Sequence, residues 1–511
     1  MSGFAVVYNK QDPLELEILI NKIRHRGPFV SGKIQNGRVL MAQNYLEADI
    51  PLTPGDAIQI ATPVSDTPYS NHRICYDGQI GNWQALVNSH CLDIFDGPFR
   101  EERLILQLYR QYGSQMLEYL DDAIFAFVIS DGENLFAARD LLGIKTLYYG
   151  RKTGSLYFAS ELKSLLEITG EVYEFPAGHY MNKDAELTQF AKLPDSPPSI
   201  LHTDITDMMQ MIRSIIQRSF NNRVNFISPT GCLLSGGIDS SVVAWLASEA
   251  CRKKFGENTR LKTFALGVGE SEDIQYARMM AEHIKSDHHE LMVDLDQILE
   301  LLPDVIYHLE SFDPSLVRSA VSNFLISRYA KEKGIEVLLS GEGGDEIFCG
   351  YQYLKGFPID ELFVRQMECL GFLHNNAALR LDRMNLGNSV RVVAPLISGE
   401  LLDYALSIPM EYKLKPDGEQ IVEKWIFRKT FENMLPKDIV WRLKKEFSQG
   451  SGSADILPQY FENEISDDAL EYTKAYYPAV RSKEELFYFR IFRNHFATGK
   501  ALETVGQWIS L

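Results

Sequence analysis

The chain has 511 residues, room for two or three domains at about 150 residues each. With 45% hydrophobic and 23% charged residues it has ample core material, while a formal net charge of −18 argues against a nucleic-acid binder, which needs a basic stripe, and against attraction to anionic membranes. The six cysteines form no CxxC pair and read as free thiols of a reducing cytoplasm, and no stretch approaches the roughly 18 apolar residues that span a bilayer.

The first residues, Met1–Tyr8, lack the basic region and long apolar run of a signal peptide, so a cytoplasmic protein is expected. Phe4–Tyr8, Arg73–Tyr76, Ile124–Ser130, Asn134–Ala138 and Leu147–Gly150 are short β-prone runs bounded by turn residues, and helical patterns fall at Leu14–Ile23 and Glu101–Tyr112. Strands with few helices predict an antiparallel α+β domain over residues 1–192. The Pro/Ser-rich run Leu193–Ser199 predicts a linker over 193–203.

From Asp204 the rhythm changes. A helix over Asp204–Phe220 precedes a strand at Gly231–Ser235, a helix at Ser240–Cys251, a strand at Lys262–Val268 and a helix at Ile274–Ile284. A strand at His289–Val293, helices at Ile298–Leu309 and Val321–Lys333 and a strand at Glu336–Leu339 follow, then a mostly helical tail. The alternation predicts a parallel, doubly wound α/β domain over 204–511.

Three segments carry chemistry. Ser235-Gly-Gly-Ile-Asp-Ser-Ser241 lies where a strand feeds a helix. Two glycines let backbone approach a ligand, the helix N-terminus suits a phosphate, the three serines add hydroxyls, and Asp239 can hold Mg²⁺ against phosphates. It lacks the lysine of GxxxxGK[ST] and looks like the pyrophosphate loop of ATP pyrophosphatases, which cut between the α- and β-phosphates. Leu338-Leu-Ser-Gly-Glu-Gly-Gly-Asp-Glu346 leaves another strand into a Gly-rich turn. There Ser340 and Gly341 can touch the nucleotide, Asp345 supplies a second Mg²⁺ ligand, and Glu342 is placed to act as a base on an amine. In Val440–Gly452 a lysine can neutralise charge that builds in the transition state.

Together these segments resemble glutamine-hydrolysing asparagine synthetases over almost the full chain. The resemblance rests on Ser235–Ser241, Leu261–Gly267, Asp287–Glu290, Glu310–Arg318, Leu339–Phe348 and Trp441–Lys444 in the second part. In the first part it rests on Arg24–Pro28, Asp77–Asn82, Phe125–Phe127, Arg139–Ile144, Phe158–Lys163 and Glu174–Gly178. It implies an αββα, N-terminal-nucleophile-hydrolase-like first domain and an ATP-pyrophosphatase (HUP-like) second domain that uses ATP and Mg²⁺. By the same resemblance Ser235, Gly236, Gly237, Asp239 and Ser240 bind pyrophosphate, and Leu266, Ser340 and Gly341 contact adenosine. Leu234 and Ser241 complete the nucleotide site, and Asp239 and Asp345 hold Mg²⁺. Glu342 matches the base for ammonia, Lys444 the catalytic lysine, and Arg318 lies near the substrate carboxylate.

The first domain departs from the family pattern. The family's nucleophilic cysteine follows the initiator Met, where this chain has Ser2. Its NGEIYN turn, which supplies an amide to the oxyanion, becomes Asp77-Gly-Gln-Ile-Gly-Asn82. Its His-Glu-Arg segment, whose arginine holds the glutamine carboxylate, becomes Gln43-Asn-Tyr45. Ser2, Tyr45 and Asp77 thus mark a lost glutaminase site, and glutamine is expected not to be hydrolysed. β-Lactam and carbapenam synthetases share the outline with a cysteine-free first domain, but carry Tyr where this chain has Glu342. The family's EVRVPFLD becomes Ser389-Val-Arg-Val-Val-Ala-Pro-Leu-Ile397, without its acids.

The expected reaction is adenylation of a carboxylate, aspartate or an analogue, followed by transfer to ammonia or another amine. Intramolecular closure as in β-lactam synthetase and a nucleotide-binding pseudoenzyme are the alternatives. Small-molecule acid and amine are the expected partners, with no nucleic acid and no membrane, and a homodimer stays open.

Overall fold

A computed structural model describes residues 3–10, 12–50, 64–65, 70–94, 96–201, 204–268, 271–418, 420–443, 453–496 and 499–508. Ser2 and Lys444 lie outside the described residues. The chain divides into two compact units, Met1–Leu193 with Phe496–Val505, and Pro194–His495 with Gly506–Leu511. Phe496–Val505, within the stretch expected as one domain over 204–511, thus belongs to the first unit. The Lys500 N–H bonds the Gly170 carbonyl, and its ammonium lies 4.5 Å over the Tyr173 ring.

Among the described residues the first unit holds two antiparallel sheets. Their strands are β1 (Gly3–Tyr8), β2 (Val30–Asn36), β3 (Val39–Tyr45), β4 (Arg73–Ile80), β5 (Ala123–Ser130), β6 (Leu135–Arg139), β7 (Tyr148–Lys152), β8 (Ser155–Ala159), β9 (Val172–Glu174), β10 (His179–Asn182) and β11 (Leu187–Gln189). One sheet runs β2-β3-β1-β8-β7-β9 and the other β11-β10-β6-β5-β4. Strand β5 shows why they stack. Its alternate side chains Ala126 and Val128 join Phe4, Val6 and Phe158 in one core between the sheets, while Phe125, Phe127 and Ile129 join Leu104 and Leu108 in another. Helix α1 (Pro13–Lys22) packs on β1 and β3, and α2 (Arg100–Tyr112) on β4. The result is the αββα layering expected from the resemblance.

The second unit is built on a parallel sheet of β12 (Thr230–Leu233), β13 (Lys262–Val268), β14 (Asp287–Val293), β15 (Val337–Leu339) and β16 (Arg391–Val393), in the order β14-β13-β12-β15-β16. Leu338 and Leu339 are fully buried and Phe264 nearly so, as expected of a sheet covered on both faces. The helices that shape the site are α3 (Ile238–Phe255), α4 (Pro314–Glu332), α5 (Ala377–Gly387) and α6 (Lys483–Phe496). The chain runs outward from β12 through β13 to β14, then returns to place β15 on the other side of β12. The strand order therefore reverses between β12 and β15, where open α/β sheets form a ligand crevice. No helix among the described residues is long and apolar enough to cross a membrane.

Candidate active site

A cleft of ≈ 1540 Å³, counting its open mouth, lies at this reversal, at the carboxyl ends of β12, β13 and β15. Its walls include Leu234, Ser235, Gly237, Asp239 and Ser240 after β12, Leu266 on β13, and Ser340, Gly341, Glu342 and Asp345 after β15. Most of the residues expected to bind the nucleotide thus come together.

The loop after β12 is shaped by its own hydroxyls. Ser240 Oγ accepts from the Ser235 N–H at 3.2 Å, lies 3.0 Å from Ser235 Oγ, and donates to the Gly237 carbonyl at 3.1 Å. Gly236 takes φ +72°, and a Cβ there would overlap Tyr276, so the turn needs glycine. Gly237 caps α3 without a side-chain hydrogen bond, which leaves the first-turn N–H groups to an incoming anion. Ser241 is fully buried within α3 and is not on the cleft wall.

The loop after β15 closes against this one. A Cβ on Gly341 would sit 2.5 Å from the Ser240 nitrogen and 2.6 Å from the Asp239 carbonyl carbon, so only glycine lets the two loops meet. The contact sets Asp345 near Asp239, and a residue with no sequence signal joins them. Lys424 follows the hairpin of β17 (Leu414–Asp417) and β18 (Gln420–Glu423), at φ +55°. Its fully buried ammonium lies 2.5 Å from Asp239 Oδ2 and 2.6 Å from Asp345 Oδ1. Asp239 Oδ1 is buried with no hydrogen-bond partner among the described residues.

Beside them, burial and the neighbouring Asp345 and Glu342 push the Glu346 carboxyl up to about 7, and Tyr351 donates to it at 2.6 Å. Glu342 is ion-paired with Arg380 in the first turn of α5. Arg442 pairs with Asp273, and its guanidinium stacks 4.1 Å over Tyr276. Trp508, from the segment expected only as a helical tail, also lines the cleft, as do Arg380 and Arg442.

Arg318 does not line the cleft. Helix α4 presents Ser315, Ser319, Asn323 and Ile326 as one stripe, and Arg318 lies about a quarter-turn round the helix from it. Its Nε donates to Glu484 of α6 at 2.9 Å, and Tyr488 donates to the same carboxylate at 2.8 Å.

In the first unit, Asp77 and Tyr45 are buried. Asp77 accepts from Arg26 at 2.9 Å and lies 3.4 Å from the Lys145 ammonium; Arg26 also reaches Glu161 at 3.1 Å, as does Lys163 at 2.5 Å. The carboxylate is thus held in a buried ion network. The Tyr45 hydroxyl has no hydrogen-bond partner among the described residues, and its ring meets Phe99 edge-on at 5.5 Å. Burial pushes the Cys75 thiol up, which favours its neutral form. Burial also raises Glu102 to about 7.

The chain matches the family model described as asparagine synthase over residues 211–368 and 358–508, and the model described as glutamine amidotransferase domain over residues 1–218. It is 32% identical to asparagine synthetase 1 (glutamine-hydrolyzing) of Saccharomyces cerevisiae, over all of this chain and 96% of that one. It is 31% identical to asparagine synthetase B (glutamine-hydrolyzing) of Escherichia coli, over 99% and 93% of the two chains. Identity to asparagine synthetase (glutamine-hydrolyzing) of Gallus gallus is 30%, over 97% and 94%.

Proposed function

The chain belongs to the asparagine synthetase family of ATP-dependent, AMP-forming carbon–nitrogen ligases, and from that premise we propose that it adenylates an acid, aspartate or an analogue, and passes the acyl group to ammonia or another amine without hydrolysing glutamine. The observation that carries this reading is the meeting of the two Gly-rich loops at the sheet's reversal, with Asp239, Lys424 and Asp345 joined across it.

The substrate carboxylate attacks the α-phosphorus of ATP, the α–β phosphoanhydride breaks, and pyrophosphate leaves. The amine nitrogen then attacks the acyl carbon, the bond to AMP breaks, and Glu342 takes the proton released by the amine. The N-terminus of α3 and the Ser235 and Ser240 hydroxyls hold the pyrophosphate, with Leu234, Leu266, Ser340 and Gly341 around the adenosine. Lys424 holds Asp239 and Asp345 in place behind the phosphates, and Lys444 neutralises charge at the acyl transfer.

The residues fit Mg²⁺. Two carboxylates, one with an orphaned buried oxygen, together with nucleotide phosphates make the sparse oxygen set that Mg²⁺ takes. Asp239 and Asp345 would hold it, and it would supply charge neutralisation of the triphosphate.

Non-hydrolysis of glutamine is supported by Ser2 at the nucleophile's position, by Asp77 locked to Arg26 and by a phenol where the carboxylate-holding arginine belongs. The retained Glu342 favours an external amine over intramolecular closure. The adenylation step is tested with a substrate acid labelled with ¹⁸O in its carboxylate, supplied with Mg·ATP and ammonium. One label should appear in the AMP phosphate; label only in the amide product and water would overturn the acyl-adenylate.

A further inference from the structure

Arg380 sits in the first turn of α5 with its side chain only 9% exposed, and its guanidinium is ion-paired with Glu342, which is 24% exposed. Both line the cleft, on opposite elements: Glu342 on the loop after β15, Arg380 on a helix packed against α4. On that helix, the Asn323 side chain is 3% exposed and lines the same cleft. Its Oδ1 has no hydrogen-bond partner among the described residues. An arginine that reaches into a substrate cleft and already grips a carboxylate is a carboxylate site. An orphaned amide oxygen in the same cleft calls for an N–H or O–H donor.

We infer that Arg380 is a positioning residue that holds Glu342 in reserve and transfers its grip to the second, non-reacting carboxylate of an amino-dicarboxylic acid, whose ammonium meets Asn323 Oδ1. This rests on the amide-ligase reading and deepens it. While Arg380 grips Glu342, one of the two carboxylate oxygens is engaged by the guanidinium. The substrate carboxylate replaces Glu342 like for like, so the guanidinium is never left unpaired in a site where an unpaired charge is costly. Glu342 is released only when the acid is in place, which ties the base to the loaded state. The arrangement also replaces Arg318, which is committed to Glu484.

The test is ATP–pyrophosphate exchange with two probes, L-aspartate and β-alanine, the second being aspartate without its α-carboxylate. It is run on the full chain and on Arg380→Gln, Arg380→Lys and Glu342→Gln, each checked for folding by its melt. The wild type should prefer L-aspartate, and Arg380→Gln should raise the KM for L-aspartate by about tenfold or more while leaving that for β-alanine in place. Arg380→Lys should fall between them, which keeps the test open if the glutamine variant misfolds. Glu342→Gln should lower the KM for L-aspartate, because the competitor for Arg380 is gone; a merely structural pair would raise it in both variants. An unchanged preference in Arg380→Gln, or a raised KM for L-aspartate in Glu342→Gln, would overturn the inference. Exchange with monocarboxylic amino acids but not with L-aspartate would overturn it and leave the ligase standing. No exchange with any acid would remove both.

Discussion

Lys424 shows how one side chain can decide a site. Its fully buried ammonium sits between two carboxylates on the cleft wall, so it fixes their spacing and lowers the repulsion between them. Removing one partner of a buried ion pair leaves charge uncompensated. Lys424→Met should therefore lose about 3–5 kcal/mol of stability, read as a shift in the urea midpoint. Pyrophosphate exchange should fall by about a hundredfold or more at saturating ATP. A variant that kept wild-type exchange would remove Lys424 from the phosphate site.

Residues of this kind leave little trace in a sequence. Lys424 is a lone lysine between a hairpin and a short helix, and Arg380 is one arginine on a helix, with no motif around either. Asp239, Glu342 and Asp345 were legible because Gly-rich turns after apolar strands have a mechanical meaning. Arg318 shows the limit in the other direction. Its motif neighbours were legible, but the phase of α4 that turns it toward Glu484 depends on α6, distant in the chain.

At the scale of elements, the site depends on two turns that must nearly touch. Gly341→Ala would place a methyl group 2.5 Å from the Ser240 nitrogen, against backbone that cannot yield without moving the head of α3. It should cost about 1–3 kcal/mol of stability, and nucleotide affinity should fall with it. Gly371→Ala, in the helix Leu362–Phe372 with nothing within 4 Å of the new methyl, is the control. It should raise stability by about 0.5–1 kcal/mol. Equal effects in both variants, read from denaturant melts, would show that the loop contact is not what fixes Gly341.

The parallel sheet was readable from its βα rhythm, with β13 predicted to the residue as Lys262–Val268. Strand β16 was not, because three residues carry no period, and it lies in the segment where the chain departs from the family pattern. In the first unit β2, β3 and β8 to β11 were missed. Val30–Asn36 mixes polar, apolar and glycine residues, and its pairing with Val39–Tyr45 comes from the register of the whole sheet.

Over the whole molecule, one unit carries a cleft at the reversal of its parallel sheet, and the other carries the two stacked antiparallel sheets of a glutamine-amidotransferase-like fold. Asp77, Arg26, Glu161, Lys145 and Lys163 form a buried ionic network of two carboxylates and three cations. Such a network breaks at high cost when one partner is removed. The proposed function keeps ligation and loses glutamine hydrolysis. Mass spectrometry of products from the enzyme, Mg·ATP and L-aspartate tests it most directly, with ammonium chloride in one tube and glutamine in the other. The account predicts asparagine and AMP with ammonium alone, and neither asparagine nor glutamate in the glutamine tube; glutamate and asparagine from glutamine would contradict it.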